Sequence, residues 1–281
     1  MGVLSRGLPT TAAPRGFPHL ARGGWAVLKV ATWNVNSVRM RTEQIVPWLA
    51  QERPDLLALQ ETKVLDAEFP AGIFLAAGYQ ALYVGEKSYN GVAILSRGTG
   101  TDIVTKVPGL NDPQRRILAG VFDKITLVNV YVPNGFEVGS EKYAYKLDWL
   151  RHFTRYAASL VRSGNDVIIL GDFNIAPEDR DVYDPVAWEG NVLVSPPERE
   201  RLQRLSALGL TDVFRLFRQD AGCYSWWDYR AGNYRRNHGL RIDLILASES
   251  LASRCIDCRI DKELRGQPKP SDHAPVIAEF R

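Results

Sequence analysis

Short apolar runs recur along the chain, separated by clusters of Gly, Pro, Asn and Asp. Apolar runs of roughly four to eight residues, bounded by turn residues, predict strands. They fall at Val27–Trp33, Leu56–Gln60, Tyr79–Val84, Gly91–Leu95, Ile117–Phe122, Ile125–Val132, Val167–Leu170, Ile242–Ala247, Cys255–Ile260 and Pro275–Phe280. Asp123-Lys124 joins two of these runs as a tight hairpin. Val167-Ile168-Ile169-Leu170 does not alternate with polar residues, so that strand is expected to be covered on both faces.

Helical spacing lies between the strands. Arg41 to Gln51 places Ile45, Trp48 and Leu49 on one face. Tyr143 to Arg162 does the same with Leu147, Leu150, Phe153, Ala157, Leu160 and Val161, and Gly164 supplies a left-handed stop. Pro197 to Leu208 is a third helix, with proline in its first turn and Gly209 behind it. Strands outnumber helices and several are neighbouring hairpins, which excludes a purely parallel sheet. The expected fold is α/β: a four-layered α/β sandwich, two packed mixed β-sheets flanked by helices, in one domain over residues 27–281.

Composition narrows the picture little further. The chain has 281 residues, 45% of them hydrophobic and 24% charged, enough for one sizeable core. No apolar stretch is long enough to span a membrane. The net charge of +3 is compatible with a polyanionic partner without demanding one. Cys223, Cys255 and Cys258 make no disulfide framework, and the lone Cys255-x-x-Cys258 lacks the further ligands of a zinc site. Residues 1–26 contain Arg6, Arg15 and Arg22 but no acid, while Pro9, Pro14 and Pro18 oppose the amphipathic helix of a transit peptide. They are read as a disordered tail, and the expected location is cytoplasmic, in a bacterial nucleoid-associated pool, rather than organellar.

The chemistry sits where apolar runs end. Glu61 follows Leu56–Gln60, at a core edge where an unpaired carboxylate is costly and a divalent cation would compensate it. Asn34 and Asn36 stand two apart, which in extended backbone turns both amides the same way; turn chemistry is the alternative. Asp172 and Asn174 repeat that spacing after Gly171, which permits close backbone approach, and suit positioning of a water. Asp272-His273 precedes the final run, and Asp243 is placed to orient the imidazole. Tyr131 ends another run, with its hydroxyl available to a phosphate oxygen or to the core.

Together with their surroundings these motifs resemble the exonuclease III/AP endonuclease family of the endonuclease–exonuclease–phosphatase superfamily. The resemblance rests on Trp33-Asn34-Val35-Asn36-Ser37-Val38-Arg39, Leu59-Gln60-Glu61-Thr62-Lys63, Tyr131-Val132-Pro133-Asn134-Gly135, Gly171-Asp172-Phe173-Asn174-Ile175-Ala176-Pro177, Ser225-Trp226-Trp227-Asp228-Tyr229-Arg230, Gly239-Leu240-Arg241-Ile242-Asp243 and Ser271-Asp272-His273-Ala274-Pro275. It implies that Glu61, Asn36 and Asp272 lie at a Mg²⁺ site, with Mn²⁺ as an alternative. It implies that Asp172 aligns or activates water held by Asn174, and that His273, oriented by Asp243, meets the scissile phosphate with Asn34 and Tyr131. Deoxyribonucleases of the pancreatic type and sphingomyelinases resemble each other in a His-centred motif where this chain has Tyr131-Val132-Pro133-Asn134, which points to the DNA-repair branch.

The implied activity is incision of duplex DNA 5′ to abasic sites, leaving a 3′-hydroxyl, by a monomer. The alternatives are 3′→5′ exonuclease or 3′-phosphodiesterase action on damaged 3′ ends, and a phosphatase or lipid phosphodiesterase on the same core. Trp226, Leu240 and Ile242 are implied to line a pocket for the extruded sugar. Basic residues in expected loops, Arg97, Arg115, Arg116, Lys142 and Lys269, suit phosphate contacts. The segment Tyr229–His238, with Arg230, Tyr234, Arg235 and Arg236, is the expected DNA-facing loop.

Overall fold

Strands whose two faces are both apolar need a core on each side, and this chain supplies three. The computed structural model describes residues 27–281; the tail assigned to residues 1–26 lies outside them. One sheet has the order β11-β12-β1-β2-β4-β3, the other β5-β6-β7-β8-β10-β9. The first comprises β1 (Leu28–Asn34), β2 (Leu56–Gln60), β3 (Gln80–Val84), β4 (Val92–Ser96), β11 (Cys255–Ile260) and β12 (Val276–Phe280). The second comprises β5 (Thr101–Val104), β6 (Ile117–Phe122), β7 (Ile125–Tyr131), β8 (Asp166–Asp172), β9 (Leu210–Asp212) and β10 (Asp243–Ser248).

Successive residues of one strand enter different cores. Ile168 and Leu170 point between the sheets with Val30, Ala58 and Ile245. Ile169 points outward, beneath Trp149, Phe153 and Leu202 of the helices Glu141–Arg162 and Pro196–Ser206. On the far side, Ala31 and Leu57 pack under Ile45, Trp48 and Leu49 of helix Val38–Glu52. This is the expected four-layered sandwich, and it explains why Val167–Leu170 does not alternate.

Both sheets follow one plan, which the eye does not find in the sequence. In each, a strand, a long helix and a parallel strand form the centre: β1 with β2, and β7 with β8. Every other neighbour is antiparallel. The turn Asp123-Lys124 has positive φ at both residues (46° and 71°), the twist that a two-residue hairpin requires. Gly171, at φ 146°, is obligatory: a Cβ there would lie 1.9 Å from the Val130 carbonyl oxygen.

Two strands escaped the apolar pattern. β5 is an edge strand with largely exposed residues, and β9 is only three residues long. The long helix also differs from its expected face. Tyr143, Lys146, Trp149, Leu150, Phe153 and Ala157 are its buried residues, whereas Leu147 is only half-buried. A lysine at the centre of that stripe hides the true face from a hydrophobic count.

The sheets are also joined by a buried polar bolt. Asn129 of β7 donates from Nδ2 to the carbonyls of Leu59 (2.9 Å) and Ala93 (2.8 Å) across the interface. Gln60 Nε2 in turn donates to Asn129 Oδ1 (2.7 Å) and Thr32 Oγ1 (2.9 Å). Buried donors that lose an acceptor cost far more than the bond was worth. Asn129→Leu should therefore lower unfolding stability by about 2–4 kcal/mol in urea titration, because it strands Gln60 as well as two carbonyls. A change within experimental error would show that the bolt contributes nothing.

Candidate active site

Parallel strands deliver their C-terminal ends to one rim, and their antiparallel neighbours start there. Asn34 pairs with Gln60 across β1 and β2; Tyr131 pairs with Asp172, which pairs with Asp243. Trp226 bridges both Leu240 and His273. The loop bearing Asp272 and His273 is tied to β1 by Ser271 Oγ donating to Asn34 O (2.7 Å) and by Trp33 Nε1 donating to His273 O (3.2 Å). Side chains far apart in sequence thus converge.

The carboxylates share donors. Asn34 Nδ2 donates to both Glu61 Oε1 (2.8 Å) and Asp172 Oδ2 (2.9 Å). His273 Nδ1 contacts Asp243 Oδ2 at 2.9 Å, and Ser225 Oγ donates to that same oxygen at 2.7 Å. His273 Nε2 faces Asp172 Oδ2 at 3.8 Å. Burial disfavours charge on His273, but the carboxylates of Asp243 and Asp172 outweigh it and push the imidazole up to about 10. The two carboxylates thereby hold the ring toward its charged form, with Nε2 facing Asp172. Burial pushes Asp172 up to about 7, against the opposing pull of His273. Burial likewise raises Tyr131, and the nearby Glu61 carboxylate adds to the shift.

The Asn-x-Asn and Asp-x-Asn spacings reach the rim by turns and not by strand alternation. Asn36 has φ 43° and its N–H donates to Asn34 Oδ1 (3.0 Å). Asn174 has φ 49° and its N–H donates to Asp172 Oδ1 (2.8 Å). The same side-chain turn is used twice. Asn174 Nδ2 reaches Val132 O (3.0 Å) and Asp172 Oδ2 (3.3 Å), and Asn134 Nδ2 reaches Asn174 Oδ1 (3.1 Å). Glu61 and Lys63 are also left-handed, at φ 52° and 55°. Such clustering of strained backbone is characteristic of sites held by their surroundings.

The donor set fits a hard cation. Glu61, Asp172 and His273 place one ligand atom each within 4.8 Å of one another. Two of the three are carboxylate oxygens, which suit magnesium-like ions. Lys63 Nζ already sits as a cation between Glu61 Oε2 (2.7 Å) and Asn36 Oδ1 (2.5 Å). Asn36 Nδ2 donates to Asp272 Oδ1 (2.9 Å), and Trp226 Nε1 to Asp272 Oδ2 (3.1 Å). Burial opposes ionisation of Asp272, but His273 and these donors keep its carboxyl below the usual range.

Several sequence expectations land differently. Arg97 follows β4 and pairs with Asp55, which precedes β2; both lie at the rim opposite Glu61, so Arg97 is removed from the clamp. Arg116 stacks on the Tyr131 ring at 4.7 Å and Lys142 on Phe136 at 5.2 Å, both on the site rim. Arg230, Arg235 and Arg236 are exposed, Arg230 paired with Asp228. Tyr234 faces inward: it meets Trp227 edge-on and donates to Lys262 O (2.9 Å). Trp226 is half-buried beside His273, but Leu240 and Ile242 are 0% and 1% exposed, packed with Ala176, Val182 and Leu193. Sequence reading passed over Lys63, Ser225, Asn134 and Arg41. Arg41 donates to Asn36 O (2.9 Å) and Pro270 O (2.7 Å); its one signal was a charge on the apolar face of its helix.

Residues 31–273 match the Endonuclease/Exonuclease/phosphatase family. Exodeoxyribonuclease III of Haemophilus influenzae is 36% identical, over 90% of this chain and 100% of its own length. Among solved structures, the 3′ phosphatase NExo from Neisseria, bound to a product DNA hairpin, superposes with a TM-score of 0.89 at 42% identity, covering 90% of this chain and 99% of that one. An AP endonuclease from Archaeoglobus fulgidus gives 0.87 at 38% identity, with the same coverages.

If Asp243 is what keeps the imidazole charged, Asp243→Asn should bring the His273 titration down from about 10 towards the ordinary imidazole range. NMR titration of the ring measures this directly, and an unmoved transition would exclude the pairing as its cause.

Proposed function

The chain belongs to the exodeoxyribonuclease III/AP endonuclease branch of the endonuclease/exonuclease/phosphatase family, and from that premise we propose that it is a Mg²⁺-dependent DNA repair nuclease that cuts duplex DNA 5′ to abasic sites and leaves a 3′-hydroxyl. The observation that carries this reading is the convergence of Asp172, Asn174, His273–Asp243 and Glu61 on one rim, beside Arg116 stacked on Tyr131 and Lys142 on Phe136. The site is complete within one chain, which supports action as a monomer.

Glu61, with Asn36 and Asp272, would hold the cation, which supplies positive charge against the phosphorane and its leaving oxygen. Asp172 accepts hydrogen bonds from Asn34 and Asn174 and is oriented to align a water and take its proton. The His273 imidazolium offers Nε2–H to a non-bridging phosphate oxygen, stabilising charge that grows in the transition state. Asp243 and Ser225 hold the ring in that orientation. Tyr131 presents its hydroxyl beside Glu61, within the same rim.

A second reading, trimming of 3′ ends, is favoured by one observation. Leu193, at φ 78° and 4% exposed, packs against the Leu240 and Ile242 face where an extruded sugar would lodge. A non-glycine residue held there is strained and fills space.

A duplex with one abasic site, with and without EDTA, tests the main reading; a recessed 3′ end tests the second. EDTA-sensitive nicking 5′ to the lesion is expected, and trimming without nicking would transfer the assignment to the second. His273→Ala should lose about 10²-fold or more in turnover; near-normal activity would remove it from the site. Asp172 must be ionised to work, and its protonated form is favoured below about 7. Activity should therefore fall as pH drops through neutrality, well above the ordinary carboxylate range. The imidazolium is lost above about 10, which closes the active window from the other side. A pH–kcat/KM profile flat down to pH 5 would contradict this. Leu193→Gly relieves strain and opens the wall, so abasic incision should rise relative to end trimming.

A further inference from the structure

Helix Glu141–Arg162 carries a lysine on its buried face. Lys146 and Glu198 both have fully buried side chains and form an ion pair. Lys146 Nζ also donates to Asn134 O (3.0 Å) and Asn174 O (2.6 Å). An ammonium has three protons, and all three are therefore spoken for.

A buried ion pair seldom adds stability over a well-packed apolar pair, so its use lies elsewhere, in specifying geometry. The two carbonyls gripped by Lys146 belong to two residues that meet at the site. Asn134 Nδ2 donates to Asn174 Oδ1, and the Asn174 N–H donates to Asp172 Oδ1. Asn174 is left-handed, so its peptide has to be held. Glu198 extends the grip to the neighbouring loop: Oε1 accepts from Leu193 N and Oε2 from Ser195 N, each at 3.1 Å. One ion pair thus anchors three loops from below.

We infer that Lys146 is a positioning residue, whose ammonium sets the Asn174 peptide so that its amide groups meet Asp172 at the reacting phosphate. This rests on the function proposed above. Lys146 is fully buried beneath the rim and acts through the two carbonyls. Misplacing a group by about an ångström costs on the order of 10²-fold in rate without weakening substrate binding much.

Lys146→Met alone leaves Glu198 buried and unpaired and is at risk of unfolding. The test therefore uses Lys146→Met/Glu198→Gln, which keeps volume, neutralises both partners and leaves one carbonyl oxygen to accept from either Leu193 N or Ser195 N. Two readouts are taken on the full chain: steady-state cleavage of whichever substrate the wild type cuts, and amide hydrogen exchange without substrate. The expected result is a cooperative unfolding transition, kcat down by about 10- to 100-fold and KM within about threefold. The Asn174 amide should exchange at least about tenfold faster while Ile168 to Leu170 stay protected. Unchanged exchange at Asn174 overturns the inference, and so does faster exchange with undiminished kcat. If the wild type cuts neither an abasic duplex nor a recessed 3′ end, the functional reading has failed, and exchange at Asn174 alone decides the anchoring.

Discussion

Everything at the rim depends on a buried imidazolium among carboxylates. His273 lies between Asp243 and Asp172, and all three are nearly sealed from solvent. Neither acid would be tolerable there alone, because a desolvated charge without a partner is costly. Each makes the other's ionisation possible, and Asn34, Asn174 and Ser225 complete the satisfaction of their oxygens. The balance is uneven. Asp243 is committed to the ring, whereas Asp172 keeps a raised proton affinity. Under the proposed function, that asymmetry suits one carboxylate to orientation and the other to proton transfer.

The sandwich exists, in functional terms, to hold that group still. Parallel strand pairs at the centre of both sheets end on one rim, and strands returning antiparallel begin there with Asp243 and, one loop earlier, His273. Core packing fixes the sheets in distance, while Asn129 and Gln60 fix them in register by hydrogen bonds that tolerate little shift. Behind the loops, Lys146 and Arg41 grip backbone carbonyls next to Asn174 and Asn36. Cations buried beneath a catalytic rim are unlike those displayed on it. The former act by geometry; the latter, on the proposed function, act by charge toward a polyanion.

Several of the left-handed residues frame the site. Asn36, Glu61, Lys63 and Asn174 all adopt left-handed backbone around one cluster of oxygens. Leu193 does so beside the apolar wall. The first group is stabilised by side-chain turns and by neighbouring donors. Leu193 has instead a hydrogen bond to Glu198 and close apolar packing. The wall is thereby coupled to the same ion pair that grips the Asn174 peptide, so the apolar wall and the rim share a foundation.

Strand runs, helix faces and the polar residues that end them follow from local rules, and so the sandwich and the motif residues were legible in the chain. The short distance between Asp243 and His273, or Asn34 and Asp172, was legible only as a pattern of residue types at strand ends. What the chain could not disclose was direction. The amides of Asn36 and Asn174 turn by side-chain hydrogen bonds, the alternative that the spacing had left open beside alternation, and Tyr234 faces in where a DNA-facing ring was expected. Arg97 lies at the wrong end of its strand for the clamp, and Leu240 and Ile242 are buried in a cluster with Ala176, Val182, Leu193 and Val194. Lys146 reads locally as a surface charge; only packing against Glu198 buries it. Backbone propensity and hydrophobic period depend on near neighbours, which a sequence shows. The facing of a loop and the burial of a charge depend on groups brought close by the whole fold, and those only tertiary structure decides.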